Sequence, residues 1–309
     1  MSIKKSLKTV PIVRLFAEKR KTIKYRRRAN DISDYDYIQN QYKLYLDREL
    51  NLATPQRYTD KLQWLKLYYR RADYTNMVDK FKVREFVQEI IGERYLVPLI
   101  GKWDSFDQID RTMLPNQFVL KCNHDQGSVV ICKDKSLFDW EEAEKKLTKK
   151  LNKNHYWLIR EWPYKNIIPC IIGETYLEND LGDEELTDYK VLCFNGIPKL
   201  IEVHCGRFKG FHTQDFYDTN WRKTEFSQPC DPVTDIVLPK PVFLEEMLKL
   251  SRCLARTFPH VRVDWYYTGG KLYFSELTFY DGSGYEPFEG NQDEIIGEWL
   301  SLPSERYTT

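Results

Sequence analysis

The sequence has few cysteines, and nothing in their spacing indicates a metal or disulfide scaffold. Seven cysteines are an odd number in 309 residues, and no two of them form a C-x-x-C pair. Some lie among apolar neighbours, as Cys193 does between Leu192 and Phe194. This usage is typical of reduced core cysteines. Zinc and a disulfide framework are therefore disfavoured, and a cytoplasmic location is expected.

Long apolar runs and familiar catalytic motifs are also absent. No stretch approaches the length that a helix needs to cross a bilayer. The N-terminus is basic but has no apolar segment typical of a secretory signal. The P-loop pattern G-x-x-x-x-G-K-[ST] does not occur, and no convincing Ser-His-Asp or Cys-His arrangement is present. We therefore expect neither a membrane-spanning protein nor a P-loop protein, and we assign no nucleophilic side chain.

The composition is that of a globular protein. Hydrophobic residues make up 42% of the chain and aromatic residues 15%, which excludes a disordered, collagen-like or coiled-coil protein. A length of 309 residues corresponds to about two domains. A chain of this size buries about three quarters of its unfolded surface, so its core needs no disulfide or metal.

The balance of 47 basic and 46 acidic residues hides an uneven distribution. Residues 1–30 carry six Lys and five Arg against one Glu, a net charge of about +10, which leaves about −9 for the remainder. Helical spacing would align four apolar side chains on one face of this arm: Ile12, Leu15, Phe16 and Ile23. Such an arm either packs as a solvated helix or binds an anionic membrane surface or polymer through residues 1–28. Nucleic acid is not expected, because the acidic body repels phosphates.

Hydrophobic periodicity predicts helices early in the chain and mostly strands later. Residues 35–95 are expected to be mostly helical, and residues 139–152 and 242–257 to form two further helices. Strands are predicted in seven segments: 117–121, 127–133, 167–177, 188–194, 200–204, 261–267 and 272–280. Helices mixed with mainly antiparallel strands predict an α+β fold.

Residues 261–280 carry the strongest local signal. Two predicted strands flank Thr268-Gly269-Gly270-Lys271, a sequence typical of a β-hairpin. We predict a three-residue loop over 269–271, because this loop pairs Asp264 with Glu276 on the polar face. A two-residue loop would place Glu276 among the apolar side chains of the opposite face.

The predicted register sets two carboxylates side by side. Cross-strand Cβ atoms lie about 5 Å apart, and like charges at that distance destabilise a sheet unless a cation neutralises them. Arg262, which the same register pairs with Thr278, supplies part of that charge. Mg²⁺ is better suited, because it takes carboxylate and phosphate oxygens together. The alternative is a surface salt-bridge cluster. The loop that follows, residues 281–284, is glycine-rich enough to approach a ligand closely.

Three lysine or glutamate positions add to this picture. Lys121 ends a strand and precedes a polar loop with Gly127 and Ser128, whose backbone N–H groups suit phosphate oxygens. The alternative for a strand-end lysine is a solvated cap. Glu174 ends an apolar strand whose backbone and carboxylate are suited to bind a purine. Lys190 lies inside a largely apolar strand, where a cation needs a partner.

In their order along the chain, these segments resemble the ATP-grasp ligases, most closely their TupA-like branch, which is associated with teichuronopeptide and other surface-polysaccharide biosynthesis. The resemblance runs from about Asn51 to the end and is carried by these motifs: Lys61–Lys66, Asp79–Arg84, Phe118–Gly127, Asp188–Gly196, Arg262–Asp264, Glu276–Phe279 and Gly282–Gly284. It implies two α+β subdomains that clasp ATP. The lid would cover residues 76–173 and the C-terminal subdomain with the metal site 174–309, after a basic, mostly helical region over 1–75.

The resemblance also implies roles for individual residues. ATP would be bound by Lys80, Lys121, Gly127, Ser128, Glu174, Tyr176, Leu177 and Asp188. Mg²⁺ would be held by Asp264, Glu276 and Thr278, although many ATP-grasp ligases have Asn at the last of these positions. Catalytic contacts would come from Arg262, Lys190 and Arg207, and substrate contacts from Ser283, Gly284 and His204.

The implied reaction joins the carboxylate of a sugar acid, on a surface polysaccharide or its precursor, to the amine of an amino acid through an acyl phosphate. The cytoplasmic enzyme would then work peripherally at the inner face of the membrane. One alternative is a glycosyltransferase that uses the D-x-D tripeptide Asp34-Tyr35-Asp36 to bind the metal of a nucleotide sugar. Another is a non-catalytic nucleotide-binding or scaffolding protein. The second is disfavoured because buried charges such as Lys121, Asp264 and Glu276 cost stability without a ligand.

Overall fold

The structure is a computed structural model that describes residues 32–179, 186–205, 213–229 and 232–307. Within these ranges the α-helices are α1 (Asp34–Leu46), α2 (Tyr58–Tyr68), α3 (Tyr74–Val78), α4 (Val83–Ile91), α5 (Trp140–Leu151), α6 (Tyr156–Ile159), α7 (Leu244–Ala255) and α8 (Gln292–Trp299). Short 3-10 turns lie at Glu93–Tyr95, Phe106–Gln108, Trp162–Tyr164 and Asp281–Gly284.

The strands of the described residues form two antiparallel sheets. Their bounds are β1 (Leu99–Trp103), β2 (Phe118–Cys122), β3 (Val130–Cys132), β4 (Ile171–Thr175), β5 (Asp188–Phe194), β6 (Ile197–Cys205), β7 (Thr213–Asp218), β8 (His260–Thr268) and β9 (Lys271–Thr278). The first sheet has the order β1-β4-β2-β3 and the second the order β7-β6-β5-β8-β9. The predicted α+β class is therefore confirmed.

The first sheet packs on α5. Alternation along β2 buries every second side chain in a shared apolar core: Phe118, Leu120 and Cys122. Lys121 points to the opposite face of the sheet for the same reason. Asp139 caps the N-terminus of this helix, because its carboxylate accepts the Glu142 N–H at 2.9 Å. The helix buries Ala143 and Leu147. This geometry presents Lys121 away from the core.

The second sheet has an apolar face and a polar face. Its apolar face packs with α7 in the main core and includes Val191, Cys193, Val263 and Trp265. On the other face, four charged side chains are direct cross-strand neighbours on β6, β5, β8 and β9. We call them the charged row: Glu202, Lys190, Asp264 and Glu276. Period-two alternation puts all four on one side of the sheet.

The turn of the β8–β9 hairpin corrects the predicted loop. Thr268 pairs with Lys271, so the turn contains two residues and not three. Those residues, Gly269 and Gly270, have φ values of 59° and 70°, the left-handed conformation that glycine adopts at little cost in a hairpin turn. The three-residue loop was wrong because it assumed an uninterrupted ladder.

A β-bulge restores the predicted pairing of the two carboxylates. Trp265 pairs with Phe274, whereas Asp264 pairs with Glu276, so Ser275 is the extra residue on β9. A regular ladder from a two-residue turn would turn Glu276 toward the apolar face. The bulge returns it to the polar face opposite Asp264. The predicted 264–276 pairing is confirmed, although by a different route.

The D-x-D tripeptide begins helix α1. The Ser33 hydroxyl accepts the N–H of Asp36 at 3.1 Å, which caps the helix. The Asp34 carboxylate binds Arg70 at 2.7 Å and accepts the Tyr156 hydroxyl at 2.6 Å. These contacts give both aspartates a structural role in starting and anchoring the helix.

Three further expectations concern the cysteines, membrane-spanning helices and the basic arm. Cysteines of the described residues carry free thiols, as predicted: Cys122, Cys132, Cys170, Cys193, Cys205 and Cys253. No helix in the described ranges is both long and apolar enough to cross a membrane. The basic arm, residues 1–28, lies outside the described residues, so its helix and its partner stay predictions.

Candidate active site

A cavity of about 680 Å³ is lined by the β2–β3 loop and the polar face of the second sheet. Most predicted site residues line it: Lys80, Lys121, Gly127, Ser128, Asp188, Lys190, His204, Arg262, Asp264, Glu276, Thr278 and Ser283. Four predicted residues do not: Glu174, Tyr176, Leu177 and Gly284. Arg207 lies outside the described residues.

Arg262 organises the carboxylates at the centre of the cavity. Its guanidinium binds both oxygens of Asp264, at 2.8 and 2.7 Å, and lies 3.7 Å from Glu276. It also donates to Asp281 and, at 3.3 Å, to the Thr278 hydroxyl. The single positive charge of Arg262 therefore faces the carboxylates of Asp264, Glu276 and Asp281. It does not neutralise all three, so a further cation is favoured beside them.

The paired carboxylates have opposite pKa shifts. Burial raises the pKa of Asp264 to about 7, against the lowering effect of Arg262. Burial opposes ionisation of Glu276 as well, but Lys80 and Arg262 outweigh it and lower the pKa of Glu276 to about 2. The two neighbouring carboxylates are therefore unequal: Lys80 and Arg262 favour the ionised form of Glu276, whereas burial disfavours the ionised form of Asp264.

Two lysines approach this centre from other elements. Lys80 precedes α4; its ammonium lies 3.1 Å from Glu276 and donates to the Asp125 carbonyl at 3.1 Å. The Lys121 ammonium lies 2.6 Å from Glu174, which also has Arg84 at 3.5 Å. Lys80 therefore links the β2–β3 loop to the carboxylates, and Lys121 links the same cavity to the buried Glu174.

The β2–β3 loop is held in place by its own polar contacts. The Ser128 hydroxyl accepts the Cys122 N–H at 2.8 Å, and Lys150 lies 2.8 Å from Asp125. Gly127 has a φ of 77°, in the left-handed region that favours glycine. These contacts fix the loop, and its predicted residues Gly127 and Ser128 line the cavity.

Ser283 and Gly284 are neighbours in the chain but face different surroundings. The Gly284 carbonyl accepts the Gln63 side-chain amide at 2.8 Å, and a Cβ at position 284 would meet that amide at 2.5 Å. Gly284 therefore faces α2 and not the cavity. Ser283, at a φ of 55°, turns its hydroxyl to the carboxylate of Glu161 at 2.5 Å.

The sequence motifs gave no site role to Glu161 or Lys66, two buried residues that both contact Ser283. The Lys66 ammonium donates to the Ser283 carbonyl at 2.8 Å, and Glu161 lines the cavity. Burial raises the pKa of Glu161 to about 7 despite Lys66, and it lowers the pKa of Lys66 to about 8. No local pattern indicates this pair, because its members lie 95 positions apart in the chain.

Glu202 was also missed, although the sequence contains a signal. Its oxygen Oε1 accepts from Lys190 at 3.2 Å and from Gln214 at 2.9 Å, and it is also in contact with His204 Nε2. Lys190 and His204 are themselves 2.8 Å apart. A glutamate and a histidine alternating with Leu200, Ile201 and Val203 in a strand indicate a polar face, and Glu202 is the partner that the Lys190 cation needs.

The residues present fit Mg²⁺ when phosphate oxygens complete its coordination. Asp264 and Glu276 face each other and Thr278 lies beside them, so the donors are the hard oxygens that this ion prefers. In the described ranges no group of three or more His, Cys, Asp or Glu is arranged to hold a metal by itself. Two carboxylates with substrate phosphates are the usual magnesium arrangement.

The match to known families agrees with this geometry. The family described as TupA-like ATPgrasp matches residues 60–301, which span the lysines, the charged row and Ser283. The chain belongs to the TupA-like ATP-grasp family. This confirms the resemblance predicted from the sequence motifs. The search of curated proteins found no match.

Solved structures of ligases and a synthetase are similar to the chain over only part of their length. D-alanine–D-alanine ligase from Helicobacter pylori is 14% identical, with a TM-score of 0.41, over 80% of this chain and 67% of that chain. The ATP complex of the Bacillus anthracis ligase is 16% identical (TM-score 0.37, 66% of this chain and 53% of that chain). The ADP complex of N5-carboxyaminoimidazole ribonucleotide synthetase is 11% identical (TM-score 0.39, 66% and 45%). The chain spans about half the length of the B. anthracis ligase, and we base no conclusion on these overlaps.

Proposed function

We propose that this TupA-like ATP-grasp protein is an ATP-dependent, ADP-forming carboxylate–amine ligase that uses ATP and Mg²⁺. The observation that carries the proposal is the pairing of Asp264 with Glu276 in a cavity that also contains Lys80 and Lys121. Carboxylates suit a metal and lysines suit phosphates, so one cavity offers both halves of a magnesium–nucleotide site.

In this proposal the lid side and the sheet side divide the nucleotide between them. Lys121 and Lys80 bind phosphates, and the loop of Gly127 and Ser128 covers them. The adenine lies at the end of β4 against Glu174, with the following residues, Tyr176 and Leu177, beside it. Asp188 binds the ribose. Mg²⁺ is held by Asp264, Glu276 and Thr278.

The reaction proceeds in two displacement steps. A carboxylate oxygen of the acid attacks the γ-phosphorus, the bond to the bridging oxygen breaks, and ADP leaves an acyl phosphate behind. The amine nitrogen then attacks the carbonyl carbon, phosphate leaves, and the nitrogen gives up a proton. Arg262 and Lys190, with Arg207 as a further predicted residue, neutralise the developing charge. When bound, Mg²⁺ supplies additional positive charge to the phosphate oxygens.

We propose that the acid is a uronic acid of a surface polysaccharide or its precursor and that the amine belongs to an amino acid. The TupA-like membership supports this assignment. His204 and Ser283 are the proposed substrate contacts; the predicted third contact, Gly284, is left out because it faces α2 and not the cavity. Residues 1–28 would then bind an anionic membrane surface or polymer, which places the enzyme at the inner face of the membrane.

A trapping experiment tests the ligase. The protein is incubated with Mg-ATP, a panel of glucuronic, galacturonic and mannuronic acids, and hydroxylamine, and both ADP and hydroxamate are measured. We expect ADP that depends on the acid and a hydroxamate from the acyl phosphate. Release of a nucleoside diphosphate from a nucleotide sugar without ATP would instead support the glycosyltransferase alternative.

A further inference from the structure

Beside the metal residues, the cavity has a wall of three buried polar side chains, and two acceptor oxygens among them have no hydrogen-bond partner in the described residues. We call it the acceptor wall: Glu202 on β6, Gln214 on β7 and Gln228 after β7. All three line the cavity, and each is no more than 4% exposed. The chemistry of this wall indicates what kind of group occupies it.

The two oxygens of Glu202 have unequal surroundings. Oε1 accepts from Lys190 and Gln214 and contacts His204 Nε2, whereas Oε2 has no hydrogen-bond partner in the structure as described. Lys190 and His204 keep the pKa of Glu202 well below its usual range although burial opposes them, so Oε2 stays an acceptor. A buried carboxylate oxygen without a donor costs free energy that a ligand can recover.

The side-chain oxygen of Gln214 is the second acceptor in this wall that lacks a hydrogen-bond partner. The Gln228 amide nitrogen donates to the Glu286 carbonyl at 3.2 Å, which fixes its oxygen as the acceptor for Gln214 at 2.8 Å. The Gln214 nitrogen also donates to Glu202, so both of its contacts are with oxygens. The amide orientation is thereby set, and Gln214 Oε1 has no partner among the described residues.

Both unpartnered oxygens of the wall therefore call for donors, and their surroundings favour neutral ones. The Lys190 ammonium already lies 3.2 Å from Glu202, and a second ammonium would be placed beside it. Hydroxyl groups donate without adding charge. The cavity also contains the stacked rings of Tyr45 and Tyr285, with centroids 5.3 Å apart, and aromatic surfaces suit the apolar faces of a sugar ring.

We infer that the acceptor wall is a hydroxyl-binding subsite, through which the enzyme selects a polyhydroxylated acid over a plain carboxylic acid. This inference rests on the proposed function for the identity of the substrate as an acid. It adds that specificity lies in Glu202, Gln214 and Gln228, side chains that take no part in the bond-making steps. A ligand without hydroxyls leaves both acceptors unpaired and binds more weakly for that reason.

Binding measurements test the wall without relying on turnover. Saturation-transfer NMR titrations compare glucuronic, galacturonic and mannuronic acids with tetrahydropyran-2-carboxylic acid, which keeps the ring and carboxylate but has no hydroxyls. We expect at least one uronic acid to bind wild-type protein about tenfold or more tightly than the plain ring acid. Gln214→Leu should abolish this difference, and Gln214→Met, with an unbranched chain, serves if the first variant melts early.

Gln41→Leu is the matched control, because Gln41 is an equally buried glutamine on α1 that does not line the cavity. This variant should keep the preference. The inference is overturned if no uronic acid outcompetes the ring acid in wild-type protein, or if the Gln214 variants keep the preference. It is also overturned if those variants lose affinity for L-glutamate and not for the uronic acids, since the wall would then bind the amine.

The two proposals fail separately. If wall-dependent uronic acid binding occurs but no acid supports ADP formation, the ligase proposal fails and the subsite stands. If the ring acid and the uronic acids support ADP formation equally in wild-type protein and in Gln214→Leu, the ligase stands and the subsite fails.

Discussion

Asp264 and Glu276 are opposite each other across two antiparallel strands because Ser275 bulges out of the ladder between them and the turn. The turn of two glycines alone would have set Glu276 on the apolar face. The carboxylate pair, its neutralisation by Arg262 and the approach of Lys80 all depend on that single extra residue. The candidate metal site is therefore a product of strand irregularity as much as of residue type.

Removing either carboxylate should abolish turnover. Asp264→Asn and Glu276→Gln keep the side-chain shape but remove the charge that would hold Mg²⁺ beside the phosphates, so we expect ADP formation to fall by about 10²-fold or more. The measurement is uronic-acid-dependent ADP release at saturating ATP and Mg²⁺. Asp104→Asn, at an exposed carboxylate, serves as the control. Full activity in both site variants would mean that the metal site has been placed wrongly.

Arg262 should be a major contributor to stability in the absence of a metal. Arg262→Met leaves Asp264, Glu276 and Asp281 without their shared cation, and removing one partner of a buried ion pair typically costs about 3–5 kcal/mol. Urea unfolding without divalent ions measures this loss. Adding Mg²⁺ with ATP should recover part of it, because another cation then neutralises the carboxylates.

The matched control for this test is Arg94→Met, since Arg94 is a mostly exposed arginine that lies 3.9 Å from Glu246. A surface pair of this kind contributes about 0–1 kcal/mol. Equal losses of unfolding free energy in the two variants would show that Arg262 does not hold the buried carboxylates together.

Lys121→Met should weaken ATP binding while the fold is retained. Glu174 keeps Arg84 at 3.5 Å when the lysine is removed, so its carboxylate stays paired. A lost hydrogen bond to a charged phosphate is worth about 1.5–3 kcal/mol, and the KM for ATP should rise about tenfold or more. Steady-state ADP release over a range of ATP concentrations gives this constant. The control is Lys102→Met, at an exposed lysine paired with Asp104, which should leave the KM for ATP unchanged. If Lys121→Met also left this KM unchanged, Lys121 would not bind the nucleotide.

Glu161 should give the stability a recognisable pH dependence. Its pKa is about 7 in the folded protein, above the ordinary 4.5, because it is buried. Stability from a raised pKa is fully present below about pH 4.5 and is lost as the pH rises through about 7. The unfolding free energy of wild-type protein relative to Glu161→Gln should therefore fall over this range, by about 3 kcal/mol at most.

Urea unfolding at pH 4.5, 6 and 8 measures this difference for wild-type protein and Glu161→Gln. Glu298→Gln, at an exposed glutamate, is the control and should follow the wild-type curve. If the difference between wild-type protein and Glu161→Gln is the same at all three values, Glu161 does not bind a proton near neutrality.

The sequence by itself determined the features that depend on neighbours along the chain. Alternation identified β2 and β8, the Gly269-Gly270 pair located the hairpin, and the order of motifs identified the ATP-grasp family, which the match over residues 60–301 confirms. Side-chain period and turn chemistry are local properties, so they are readable without a fold.

Only the tertiary structure decided which distant side chains meet. Lys80 lies beside Glu276, and Lys66 donates to the Ser283 carbonyl in the 3-10 turn after β9. The members of each pair lie about 200 positions apart in the chain. The bulge at Ser275 has no local signature either, since it appears only when turn length and pairing are known together. Glu202 and Gln214 lie on two neighbouring strands, and Gln228 joins them from the segment after β7, so only the fold brings the three together. Burial then sets their hydrogen-bond needs, because polar groups removed from water depend on the partners that the fold supplies.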